Sequence, residues 1–129
     1  MPRSLLIYAA TPRGDAVLRD AARCGEPLDV VSLAREEPTG RPCCGTHSVF
    51  WNGVQRELAE TELARARLTA EDAAMSVLPV PVLRVEDAIA RRAAAVEAER
   101  IVLADPRASG LGRRAVRRLR RRSPVPVEV

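Results

Sequence analysis

Cys43, Cys44 and His47 fall within five residues of each other in the stretch RPCCGTHSVFWN, the most unusual local sequence in the chain. Thiolate and imidazole are good zinc ligands, and Cys24 or water can supply a fourth position. Adjacent cysteines splay less easily than a C-x-x-C pair. The same residues also allow redox sensing, because a thiol near the start of a helix has a lowered pKa and His47 can assist it. The plainer alternative is two semi-buried thiols and a solvated histidine. Phe50 and Trp51, in the same stretch, are expected to anchor a helix to the core.

A second concentration of chemistry lies at residues 113–122, RRAVRRLRRR, with seven Arg and no acid. Arg113, Arg117, Arg120 and Arg121 cover one helical side, flanked by Arg114, Arg118 and Arg122. Such a face can neutralise nucleic-acid phosphates with little sequence preference. It equally suits a partner's acidic surface, and cations in the last turns of a helix favour its dipole. Before residue 113 the chain has fourteen Arg against sixteen Asp and Glu, so the basic segment sits on a slightly acidic body. All 21 basic residues are Arg. With abundant Ala this fits a GC-rich coding sequence, which supplies some of the Arg without any function.

No catalytic set is legible. The single His has no partner defined by spacing, and the chain contains no Walker A sequence, G-x-G-x-x-G sequence or nucleophile elbow. The acid pairs Glu36-Glu37, Glu71-Asp72 and Glu86-Asp87 fall at expected loops and helix ends, where carboxylates are solvated or capping. The expectation is a protein that is not an enzyme.

The elements that must position these residues alternate in type. Residues 5–10, 28–33, 76–82, 100–105 and 125–129 read as strands, the first and fourth as apolar runs covered on both faces. Between them the pattern is helical. Asp15 is placed to cap a helix from Ala16, with Val17, Leu18, Ala21 and Ala22 inward and Gly25 and Pro27 as the stop. A helix over 47–70, capped by Thr46 or Ser48, carries Trp51, Val54, Leu58, Ala59, Leu63 and Ala66 on one stripe. Residues 85–99 turn Val85, Ile89, Ala93 and Val96 inward. Ser109 is placed to cap a last helix over 110–122, with Leu111, Ala115 and Leu119 inward. Pro79 and Pro81 place the third strand at a sheet edge.

At 129 residues, with 47% apolar and 29% charged residues, the chain is expected to form one α/β domain over residues 1–129. Five parallel strands and four helices imply a doubly wound, Rossmann-like open sheet. With 2% aromatic residues, Ala, Val and Leu must build the core, and stacking of bases on an aromatic platform is disfavoured. No run is long and apolar enough to span a membrane. The odd cysteine count argues against a secreted disulfide framework, so a cytoplasmic location is expected.

Element order, together with the segments LLIYAATPRGDA, VEDAIARRAAAVEAERIVLAD and ASGLGRRAVRRLRRRSPVPVEV, resembles the universal stress protein family over nearly the whole chain. The resemblance implies strand order 3-2-1-4-5, a stress-response role, a homodimer formed through the C-terminal strand, and an ATP site at a G-x-x-G-x9-G-[S/T] turn after the fourth strand. It places Thr11 where the family carries an acid, and Ala104 and Arg107 where its first two glycines stand. Ser109 and Gly110 fall at the step into the last helix. Lost glycines add bulk where phosphates would lie, so ATP is disfavoured, although Arg107 can pair a phosphate. The implied function is a binding or regulatory module with a degenerate adenine-nucleotide site at Thr11, Arg107, Ser109 and Gly110. A thiol- or metal-dependent function at Cys43, Cys44 and His47 is the alternative. Nucleic-acid binding by Arg113, Arg117, Arg118, Arg120 and Arg121 is a lesser one.

Overall fold

The computed structural model describes residues 2–38 and 45–129, with backbone only for residues 45–47. Five strands, β1 (Ser4–Ile7), β2 (Leu28–Glu36), β3 (Ala74–Pro81), β4 (Arg100–Leu103) and β5 (Val127–Glu128), form one parallel sheet in the order β3-β2-β1-β4-β5. This is the expected fold class and strand order. Helices α1 (Pro12–Arg23), α2 (Gly45–Arg67), α3 (Val85–Ala95) and α4 (Arg113–Arg122) make the crossovers.

Both faces of the sheet are covered, which is why β1 and most of β2 and β4 read as unbroken apolar runs. On one face Leu6, Tyr8 and Val30 pack with Leu18 and Ala21 of α1 and Leu63 and Ala66 of α2. On the other, Leu5, Ile7 and Val31 pack with Ile89 and Ala93 of α3 and Leu119 of α4. Two buried acids fix α3. Asp29 on β2 accepts Arg92 Nε at 2.9 Å and Nη2 at 3.2 Å, and Glu86 accepts Arg118 of α4 at 3.0 Å. An ion pair that is well hydrogen-bonded tolerates such burial.

The prolines of β3 sit on its open side. Val82 donates its N–H to Glu36 on β2 at 3.1 Å. Alternate residues of a strand point their N–H groups the same way, so positions 79 and 81 aim theirs outward, where proline loses nothing.

Several local expectations are corrected. Helix α1 begins at Pro12, and Thr11, not Asp15, is its cap, accepting Gly14 N–H at 3.0 Å. Proline at the first helical position suits this register, because its missing N–H is one that the helix leaves unpaired. The last helix begins three residues later than expected, because Gly110 adopts φ +73° and Gly112 is extended; Ser109 caps nothing. Ser48 also lies inside its helix, donating to Glu37 at 3.3 Å instead of capping.

The stripe of α2 is the expected one at Ala59, Leu63 and Ala66 and is rotated from it in the earlier turns. Its buried residues are Ser48, Asn52, Ala59, Leu63 and Ala66, while Val54 and Leu58 are exposed. Phe50 and Trp51 are 72% and 37% exposed and anchor nothing in the core. Polar pairing sets the rotation: Asn52 accepts Glu37 N–H at 2.9 Å and donates to Glu37 O at 3.0 Å, so it must face the end of β2. Backbone groups left buried and unpaired there would cost about 1–3 kcal/mol each.

Gly14 allows the first turn of α1 to meet the end of β1. A Cβ there would stand 2.0 Å from the Ala9 carbonyl oxygen. Gly14→Ala is expected to lower the unfolding free energy by about 3 kcal/mol in urea denaturation. A loss below about 1 kcal/mol would mean that the turn relaxes freely.

Candidate functional site

In an open α/β sheet, ligands meet the carboxyl ends of the strands where the winding reverses. Here that point lies between β1 and β4. Thr11, just past β1, donates its hydroxyl to Asp105, just past β4, at 2.8 Å. The same oxygen caps α1, so one hydroxyl ties the two diverging loops and starts a helix.

Gly110 follows in the β4–α4 loop. The loop is held by backbone bonds from Ser109 N–H to Asp105 O at 3.0 Å and from Leu111 N–H to Pro106 O at 2.7 Å. Arg35, near the end of β2, reaches across to it. Its Nη2 donates to Ser109 O at 2.9 Å and to Gly110 O at 3.0 Å. A Cβ at Gly110 would come within 2.5 Å of that Nη2, and its positive φ further favours glycine.

Beneath this bridge is a crevice of about 210 Å³, lined by residues including Tyr8, Arg35, Glu62, Ser109 and Gly110. Pockets that hold drug-sized ligands are usually about 300–1,000 Å³, and this crevice falls below that range. The Ser109 hydroxyl is buried there without a hydrogen-bond partner among the described residues.

Two of its lining residues, Tyr8 and Glu62, belong to polar pairings that extend behind it. Tyr8 donates to Asp15, and Arg65 binds the same carboxylate through Nε at 3.0 Å and the Ala10 carbonyl through Nη1 at 3.2 Å. Burial, and then the Asp15 carboxylate, hold the Tyr8 phenol far above its ordinary value, so it stays protonated. Burial pushes Asp15 upward, but the bonds from Tyr8 and Arg65 outweigh it and its carboxyl is lowered. Glu62 is raised, chiefly by burial and against a bond from Ser32 at 3.2 Å.

The expected site residues separate. Thr11, Ser109 and Gly110 converge on the switch point. Arg107 is exposed and lines a different depression, with Arg113, Arg117 and Arg120. Cys43 and Cys44 lie outside the described residues, as does the side chain of His47. Cys24 is exposed just after α1, before β2 begins. Among the described residues no group of three His, Cys, Asp or Glu is placed to hold a metal. The arginine face also divides, because Arg118 is spent on Glu86 and Arg122 on Asp87.

Sequence reasoning missed Arg35, Asp105 and Glu62. For Arg35 a signal existed: Val31, Leu33 and Arg35 continue one period-two register beyond the apolar run.

Solved structures share this architecture. A universal stress protein family member from Burkholderia pseudomallei superposes with TM-score 0.66 at 22% identity, covering 98% of this chain and 92% of that one. The chain has the universal stress protein fold. A member of that family from Arabidopsis thaliana, solved with AMP bound, matches with TM-score 0.59 at 10% identity over 98% of this chain and 89% of its own. A universal stress protein in complex with cAMP gives 0.52 at 16% identity, over 97% and 94%. At these identities the likeness is one of fold. No family model and no curated protein matches the chain. No helix among the described residues is long and apolar enough to cross a membrane.

The raised Glu62 has a sign that can be checked. It holds its proton more tightly folded than unfolded, so its contribution is present at acid pH and lost as pH rises past its ordinary 4.5. Glu62→Gln, which still accepts from Ser32, is expected to gain stability over the parent as pH is raised from about 4 to 7. Thermal unfolding across that range measures it; a pH-independent difference would contradict the burial argument.

Proposed function

We propose that this chain is a non-catalytic binding and regulatory module of the universal stress type, whose adenine-nucleotide crevice is closed by its own Arg35. One observation carries the reading: the Arg35 guanidinium is bonded to the Ser109 and Gly110 carbonyls, across the turn where the family resemblance places phosphates. The side chain of Arg107 stands clear of the crevice and does not replace the missing glycines there.

What surrounds the crevice supports the non-catalytic reading. The Tyr8 phenol is held protonated, and the Ser109 hydroxyl has no base within hydrogen-bonding distance among the described residues. A hydroxyl without such a base is a weak nucleophile. The structures with AMP and cAMP bound make adenine nucleotides the class to test.

Isothermal calorimetry with AMP and with Mg-ATP is expected to show no binding tighter than about 1 mM for the parent protein. Arg35→Ala removes the bridge; it is expected to cost about 1–2 kcal/mol of stability and to enlarge the crevice. Improved AMP affinity in Arg35→Ala supports closure by the arginine. Micromolar binding to the parent, unaffected by that change, would overturn it.

A further inference from the structure

We propose that the outward face of α2 is a self-association surface, on which a second copy of this chain packs its own α2 in an antiparallel, two-fold contact. This is independent of the crevice reading. It also lies away from the C-terminal strand, because α2 packs on β2 and β3, at the other side of the sheet.

The face is apolar where the fold gives no reason for it. Of the nine large apolar residues exposed among the described residues, five fall within ten consecutive positions of α2: Val49, Phe50, Trp51, Val54 and Leu58. Phe50, Val54 and Leu58 recur every four residues, so they form one ridge about 12 Å long. Patches of this kind mark interaction sites. The bonds between Asn52 and Glu37 hold the helix so that the ridge cannot turn inward.

Gly53 supplies a second, independent observation. It lies inside a 23-residue helix, where glycine is less stable than alanine. Its own fold does not require it, since a Cβ added there would meet nothing within 4 Å. The exposed glycine leaves a notch beside the ridge, framed on the helix surface by Val49, Phe50 and Glu57. Another backbone can come close there.

Ridge and notch together select a second copy. A two-fold contact sets each surface against itself, so one patch must carry both a knob and its hole. Phe50 and Gly53 are such a pair, three positions apart. The antiparallel register that sets Phe50 opposite Gly53 also sets Val54 opposite Val49. Glu57 then meets the first turn of the facing helix, which contains no acid of its own. A carboxylate there favours the helix dipole, and the two-fold repeats the gain in the other copy. An unrelated partner would have to present the same knob, hole and charge in the same register.

The test is sedimentation velocity of the full chain between about 1 and 100 µM. The parent is expected to reach twice the mass of Phe50→Glu, whatever assembly that variant itself retains. Gly53→Ala separates interface from fold. Placed in the Phe50→Glu background it should raise the melting temperature, because the helix gains and nothing clashes. Placed in the parent it should weaken association at least about tenfold. Leu68→Glu, at an exposed apolar position beyond the end of α2, should alter association less than about twofold. A parent no heavier than Phe50→Glu at the highest concentration would overturn the proposal and leave the ridge to a helix of another protein. An equal loss in Leu68→Glu would reduce the association to general apolar adhesion and overturn this face. Unchanged affinity in Gly53→Ala would overturn the close antiparallel crossing.

Discussion

A parallel sheet covered on both faces leaves polar chemistry only at its ends and edges, and most of this molecule follows from that constraint. Leu5, Leu6 and Ile7 are fully buried, so β1 offers no exposed side chain along its length. The core is built from small aliphatics with Tyr8 as its largest fully buried member. Such side chains interlock less distinctively than aromatics, and burial alone does not choose the angle of a helix on the sheet. Buried ion pairs supply that choice for α3. Arg92 reaches both Asp29 and Ser76 on neighbouring strands, so the helix is fixed across the β2–β3 seam.

The same economy governs the carboxyl end of the sheet. Loops diverge there, and their backbone groups need partners that the sheet no longer provides. Thr11, Asp105 and Arg35 provide them, each using one side chain to join segments distant in sequence. A strand residue, Arg35, binds the Ser109 and Gly110 carbonyls, so the loop is ordered from within the chain. Arg suits this role because its planar fork of donors can serve two carbonyls from one nitrogen and carries its charge at every working pH.

The element sequence was legible because it rests on local signals, apolar runs and turn residues, while the strand order came from the family resemblance, with two prolines that only an edge tolerates agreeing on the third strand. The rotation of α2 was not legible. Its apolar residues Phe50, Trp51, Val54 and Leu58 form a coherent helical stripe, and only the bonds between Asn52 and Glu37, fifteen positions apart, turn that stripe outward. The start of α4 was obscured by Ser109, a good capping residue beside a glycine whose left-handed backbone forbids the helix. Within the site, Thr11, Ser109 and Gly110 were found through family resemblance. Arg35 was hidden because its partners lie seventy-four and seventy-five positions away and are backbone carbonyls, which any residue type can present.

The arginines of α4 show how a compositional bias becomes a structural asymmetry. A genome that favours Arg explains their number but not their pairing. Glu86 and Asp87 follow directly on Val85 at the start of α3, where acids also favour the helix dipole, and they neutralise the flank of α4 that faces them. No element packs on the other flank, because β5 ends the sheet there. The uncompensated charge is thus a consequence of topology: α3 and α4 share one face of the sheet, so only the flank of α4 toward α3 meets another helix. Repulsion along that flank lowers stability modestly, whereas the flank toward α3 is neutralised within the fold.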